Sequence, residues 1–145
     1  EIDTSIKECL CKQEKVPHTV LTIEEKKRGK RDIYDLGTVV AIRGMNNSIF
    51  LLLALTDFDE NNNAHVSVEN LENVIKSLIR YYDQYGQGNE LIVPLMGTNL
   101  SRTGLSHDDS LRVITTLFQL YGNEIHGEVN VLIYNGDKDK VTINV

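Results

Sequence analysis

The stretch Leu95-Met96-Gly97-Thr98-Asn99-Leu100-Ser101-Arg102-Thr103-Gly104 brings together the residue types that hold a phosphate. Gly97 permits a tight turn and a close backbone approach, Thr98 and Ser101 offer hydroxyl donors, and Arg102 can pair with an anionic oxygen in two-pronged fashion. An ordinary strand-to-helix loop with a solvated arginine is the plainer alternative. The loop lacks the Gly-Lys-Ser/Thr of a nucleoside-triphosphate loop and the three spaced glycines of a dinucleotide fingerprint. Asp57, Asp59 and Glu60 form an acidic cluster whose spacing suits a solvated turn better than a metal site, because the glycine and terminal glutamate of a calcium loop are missing. His18, His65, His107 and His126 show no paired spacing on a helix face, so a zinc site is not expected. Neither a nucleophile elbow nor a cysteine with an evident histidine partner is present, and no catalytic residue is assigned. The run Lys26, Lys27, Arg28, Lys30 and Arg31 around Gly29 reads as a solvated loop over residues 24–31, although phosphates, an anionic surface or a partner could also meet it.

These residues need a scaffold, and the pattern of apolar positions supplies one. Residues 2–12 carry Ile2, Ile6 and Leu10 at helical spacing, with Asp3 or Thr4 as a cap. A weak strand over 18–23 precedes a β-branched strand over 38–43, a turn over 44–47 and a continuous aliphatic run over 48–56 that suits a strand buried on both faces. Residues 57–64 read as a polar loop. Ser67 then caps a helix with Val68, Leu71, Ile75, Leu78, Ile79 and Tyr82 on one face, ending at Gly86. A strand over 90–95 leads into the glycine and hydroxyl loop, and Ser106 with Asp109 opens a second helix bearing Leu111, Ile114, Leu117, Phe118 and Tyr121 before Gly122. Residues 129–134 form a strand, Asn135-Gly136 a turn, and Val141, Ile143 and Val145 a last alternating strand. Strands separated by helices predict an α/β domain with β-α-β crossovers and a largely parallel or mixed sheet, covered by helices on both faces. Ligands in such folds sit beyond the carboxyl ends of strands, where the loops 56–64 and 96–104 leave.

Composition narrows the function classes. With 145 residues, 41% hydrophobic and 25% charged, the chain is the size and make-up of one globular domain. Its 15 basic and 21 acidic residues give a charge of −6, which repels a nucleic-acid backbone. No apolar run reaches the ~20 residues of a membrane-spanning helix. Cys9 and Cys11, one residue apart, are awkward to bridge, which favours a reducing, cytosolic setting, and no secretory signal is visible.

Three segments in order carry a resemblance over nearly the whole chain: 34-YDLGTVVAI-42, 53-LALTDFDEN-61 and 92-IVPLMGTNLSR-102. They resemble the macro domain at the C-terminus of Thoeris antiphage effector proteins. The resemblance implies a three-layer α/β/α sandwich with a mixed sheet, lacking its N-terminal strands in this chain, so that 1–145 would be the later part of a single macro domain. It implies binding of ADP-ribose or a relative by Met96, Gly97, Thr98, Asn99, Leu100, Ser101 and Arg102, with Asn99 where the family usually has a second glycine. Thr56, Asp57 and Phe58 would lie at the pocket rim, and Tyr134 and Asn135 near the nucleoside. It further implies a bacterial sensor without catalysis, cofactor or metal, whose ligand is an ADP-ribose derivative made from NAD by a TIR enzyme, a histidine conjugate in the membrane-bound type. Ligand binding would drive self-association and membrane damage through an inner-membrane segment absent here. An ADP-ribosyl hydrolase, or an interaction module without a small ligand, are the competing readings.

Overall fold

Two α-helices organise the described residues, and each begins where its cap chemistry places it. In the computed structural model, which describes residues 16–98, 101–123 and 125–142, helix α1 spans Val68–Tyr85 and helix α2 spans His107–Tyr121. The Ser67 hydroxyl accepts the Asn70 N–H at 3.1 Å, and Glu69 sits favourably at the positive end of α1. At the far end the Gly86 N–H reaches the Tyr82 carbonyl at 2.7 Å. Ser106 caps α2 reciprocally with Asp109, accepting its N–H at 3.1 Å and donating to its carboxylate at 2.6 Å. The apolar stripe of α1 is Leu71, Val74, Ile75, Leu78, Ile79 and Tyr82, all buried. Ile114 and Leu117 of α2 close onto it, while Tyr121, expected on the buried face, is exposed beneath the Lys76 ammonium at 5.3 Å.

The strands are short and pair two by two. β1 (Thr19–Val20) pairs with β2 (Asp32–Ile33), β3 (Val39–Arg43) with β4 (Ile49–Leu53), and β5 (Asp57–Phe58) with β6 (Ala64–His65), all antiparallel. β7 (Leu91–Pro94) and β8 (Val129–Leu132) run parallel with α2 between them, a β-α-β unit. The fold is therefore α/β. Leu91 and Val93 of β7, with Val129 and Val131 of β8, face the two helices and form the core with Met96 and Val66. Leu51, Leu53 and Leu55 extend that core toward β4.

Several expectations change. Among the described residues the strands form four separate pairs rather than one mixed sheet, and helices cover one face of the β7–β8 pair; Ile92 and Leu132 on the other are 59% and 61% exposed. The aliphatic run does not make a strand buried on both faces: among the described residues β4 pairs with β3 alone, and Ile49 and Phe50 are exposed. Residues 57–64 are not a plain loop but the β5–β6 hairpin. Asn135-Gly136 does not turn into a strand; a 3₁₀ helix runs over Asn135–Lys140, tied to α2 by the Thr142 N–H to the Asp108 carboxylate at 2.5 Å. The rest of that expected strand, from Ile143, and the helix over 2–12 with Cys9 and Cys11, lie outside the described residues.

Candidate ligand-binding site

The loop after β7 is built on its backbone. Gly97 has φ +82, and a Cβ there would come within 2.4 Å of a Leu71 methyl, so the loop is pressed against the first turn of α1 where only glycine fits. Met96 turns its side chain into the core, and its carbonyl accepts the Ser110 hydroxyl from α2. The Thr103 hydroxyl donates to the Gly97 carbonyl and accepts the Leu105 N–H at 3.0 Å. The Ser101 N–H reaches the Thr98 carbonyl at 3.0 Å, and the Ser101 carbonyl accepts the Val66 N–H at 3.1 Å. Arg102, in the left-handed region at φ +49, sends one guanidinium nitrogen to the Ala64 carbonyl at 3.3 Å. These bonds fasten the loop to β6, to the Val66 that follows it and to α2, while packing against Leu71 sets it on α1. Thr98 is half-buried and its hydroxyl makes no hydrogen bond to the described residues.

On the β6 side lies a cleft of about 600 Å³ lined by Lys26, Asp32, Tyr34, Thr56, Asp57, Phe58 and His65. It sits beyond the carboxyl end of β4, where α/β folds place ligands, and its size suits a small molecule. A cavity of about 260 Å³ beside Tyr82, Gly88 and Gly127 lies at the opposite, amino ends of β7 and β8. Asp57 and His65 are register partners across β5 and β6. The turn between these strands is shaped by Asp59, whose carboxylate accepts the Asn61 and Asn63 N–H groups at 2.9 and 2.8 Å and the Asn63 amide at 2.9 Å. Those bonds, the Asn63 side chain foremost, hold the Asp59 carboxyl below its usual range. Of the acidic cluster, Asp59 works as the turn former, Asp57 lies on the cleft and Glu60 pairs with Lys27; among the described residues no group of three or more His, Cys, Asp or Glu could hold a metal ion.

The sequence profile described as Thoeris protein ThsA, Macro domain, matches residues 1–134. The chain belongs to this family of macro domains. No curated protein matches it. In this macro domain the structure brings Thr56, Asp57 and Phe58 to the cleft and ties Ser101 and Arg102 to the neighbouring strand β6. Asn99 and Leu100 lie outside the described residues. Tyr134 and Asn135 follow β8, whose Leu132 carbonyl accepts the Leu95 N–H at 3.0 Å, so the two segments leave adjacent strand ends. Tyr134 is 76% exposed.

Sequence reasoning missed Asp32, Tyr34 and His65 as cleft residues, and it placed Lys26 in an exposed loop. Lys26 is 6% exposed, whereas Lys27 is solvated beside Glu60 at 3.5 Å. The hint lay in the basic run itself, but nothing local distinguishes which of its cations turns inward. No described helix is long and apolar enough to cross a membrane.

Proposed function

We propose that this macro domain is a non-catalytic sensor of an ADP-ribose-derived nucleotide, with a histidine conjugate of ADP-ribose as the leading ligand. The observation that supports it is the convergence of two distant segments, 56–58 and 101–102, on the β5–β6 hairpin and the Val66 that follows it, beside a cleft of about 600 Å³. The loop side contributes backbone geometry and the Thr98 hydroxyl, suited to a diphosphate. The cleft side contributes carboxylate acceptors for ribose hydroxyls and aromatic rings for apolar contact. In this reading the described layers belong to a three-layer α/β/α sandwich with a mixed sheet. A TIR enzyme supplies the ligand from NAD, and binding drives self-association of a bacterial effector that damages the inner membrane.

Calorimetry of the protein against ADP-ribose and its histidine conjugate tests the proposal. Saturable one-to-one binding without turnover, checked on ADP-ribosylated protein, is the expected result. Absence of binding to either compound would overturn it, and release of ADP-ribose from the modified protein would favour a hydrolase instead.

A further inference from the structure

Alone among the cations of the 26–31 run, Lys26 turns its side chain inward. Its side chain is almost wholly buried, yet no carboxylate among the described residues forms an ion pair with it, and its ammonium makes no hydrogen bond to them. Its partner is the Phe58 ring, 5.1 Å from the nitrogen to the ring centre. A ring face replaces only part of an ammonium's hydration; the rest comes from the cleft that Lys26 lines, so an anion entering that cleft meets a cation with no carboxylate partner among the described residues.

The position is built rather than incidental. The Thr22 hydroxyl and N–H both donate to the Glu25 carboxylate, at 3.0 and 2.8 Å, and the Lys26 N–H reaches the Thr22 carbonyl at 3.1 Å, which shapes the turn that carries Lys26. The loop is closed at its base by the Leu21 N–H to the Arg31 carbonyl at 2.9 Å. Across its tip, Gly29 at φ +79 lies so close to Asn62 that a Cβ would come within 2.3 Å of the amide oxygen, and Lys27 pairs with Glu60. The 22–31 loop is therefore clasped onto the 59–63 turn, and the clasp delivers one ammonium to the wall of the cleft while the other cations of the run stay outside.

We infer that Lys26 is the anion-recognising residue of the cleft, pairing with a phosphate or carboxylate oxygen of the ligand beside the Phe58 ring. Asp57 and Asp32, on the same cleft, repel a bare anion but accept hydroxyl protons, so the ligand class is a hydroxyl-bearing anion such as a sugar phosphate rather than a simple salt ion. The identity of the nucleotide rests on the proposed function; the role of Lys26 as anion partner does not.

The test measures wild type, K26M and K26R against ADP-ribose, its histidine conjugate and inorganic pyrophosphate, by calorimetry and by NMR amide shifts at Asp57, Phe58 and His65. K26M is expected to weaken binding at least about tenfold, as loss of a charge-assisted hydrogen bond does, with K26R recovering most of it. An equal loss for ADP-ribose and conjugate identifies a phosphate as the anion; a loss confined to the conjugate identifies its carboxylate. Binding by K26M within twofold of wild type for every compound overturns the inference while leaving the proposed function standing. If wild type binds neither nucleotide, that function fails, and Lys26 is judged by pyrophosphate: shifts that vanish in K26M sustain it, and no shifts in wild type overturn it. If K26M does not fold, the NMR signal of the Lys26 ammonium in the wild type decides, moving on addition of ligand or staying fixed.

Discussion

The loop after β7 and the cleft beside β5–β6 are built on opposite principles. In the loop, Met96 and Gly97 are packed inward, Thr103 and Ser110 hold carbonyls, and Ser101 is buried; shape is made by backbone, and side chains serve the backbone. In the cleft, the backbone is a short hairpin and the chemistry is carried by side chains from four separate stretches of chain. In the proposed function a backbone-built loop suits what related ligands share, such as a diphosphate. A side-chain-built cleft can discriminate among them, because substitutions there leave the scaffold in place. Damage to the first should therefore appear as lost stability, and damage to the second as lost affinity.

The largest expected effect is G97A. Both the left-handed φ and the clash with Leu71 oppose a methyl group, and the two together should cost about 3 kcal/mol in urea unfolding. A ligand-only role for Gly97 would instead leave stability near wild type, and that result would break the contrast. S110A should follow at about 1–2 kcal/mol, since it leaves the Met96 carbonyl without its donor in a site from which water is excluded.

F58A sharpens the other half of the comparison. Phe58 is half exposed and its one described ring contact is the Lys26 ammonium, so its removal should cost no more than about 1 kcal/mol of stability. Affinity for ADP-ribose should nevertheless fall roughly tenfold, the order expected for an aromatic contact and the cation it supports. A variant that loses stability but binds normally would show the ring to be packing rather than recognition.

The same contrast explains what was legible in the sequence. The helices were readable because their signals are local: Ser67 and Ser106 cap, Gly86 and Gly122 close, and the stripe from Leu71 to Tyr82 repeats at helical spacing. The β7 loop was readable as a special loop, but Gly97 spoke of a turn without revealing that Leu71 presses on it from α1. The cleft was legible at the 56–64 loop, which leaves the end of the aliphatic strand, and family resemblance narrowed it to Thr56, Asp57 and Phe58. Lys26, Tyr34 and His65 reach it through pairings too short to leave a periodic trace, and the burial of Lys26 depends on a clasp between loops some thirty residues apart. The aliphatic run at β4 misled because apolar content reports a preference for burial, while actual burial depends on which neighbours pair.

The smallest effect belongs to the segment that ties the end of the described chain to α2. Asp137 accepts from the Lys140 ammonium at 2.7 Å and lies 3.5 Å from the buried Nε2 of His107, while Asp108 holds the Thr142 N–H. Lys140, foremost through its hydrogen bond, keeps the Asp137 carboxyl below its usual range, with His107 adding to the effect. A carboxyl depressed in the folded state contributes stability above its unfolded pKa and loses it as pH falls through the folded value. The tether of the 135–142 segment should therefore hold unchanged from neutral pH to the ordinary carboxylate range and loosen only below it. Amide exchange of Thr142 followed on acidification measures this, with D137N as the control: the variant should start looser at neutral pH and show a weaker acid dependence. Because the Lys140 side chain that pairs with it is largely solvated, global stability should barely move, and neither G97A nor F58A should alter the titration. A change in ligand affinity in D137N would place the α2 end of the molecule inside the recognition surface, and the division between a backbone-built and a side-chain-built half would have to be redrawn.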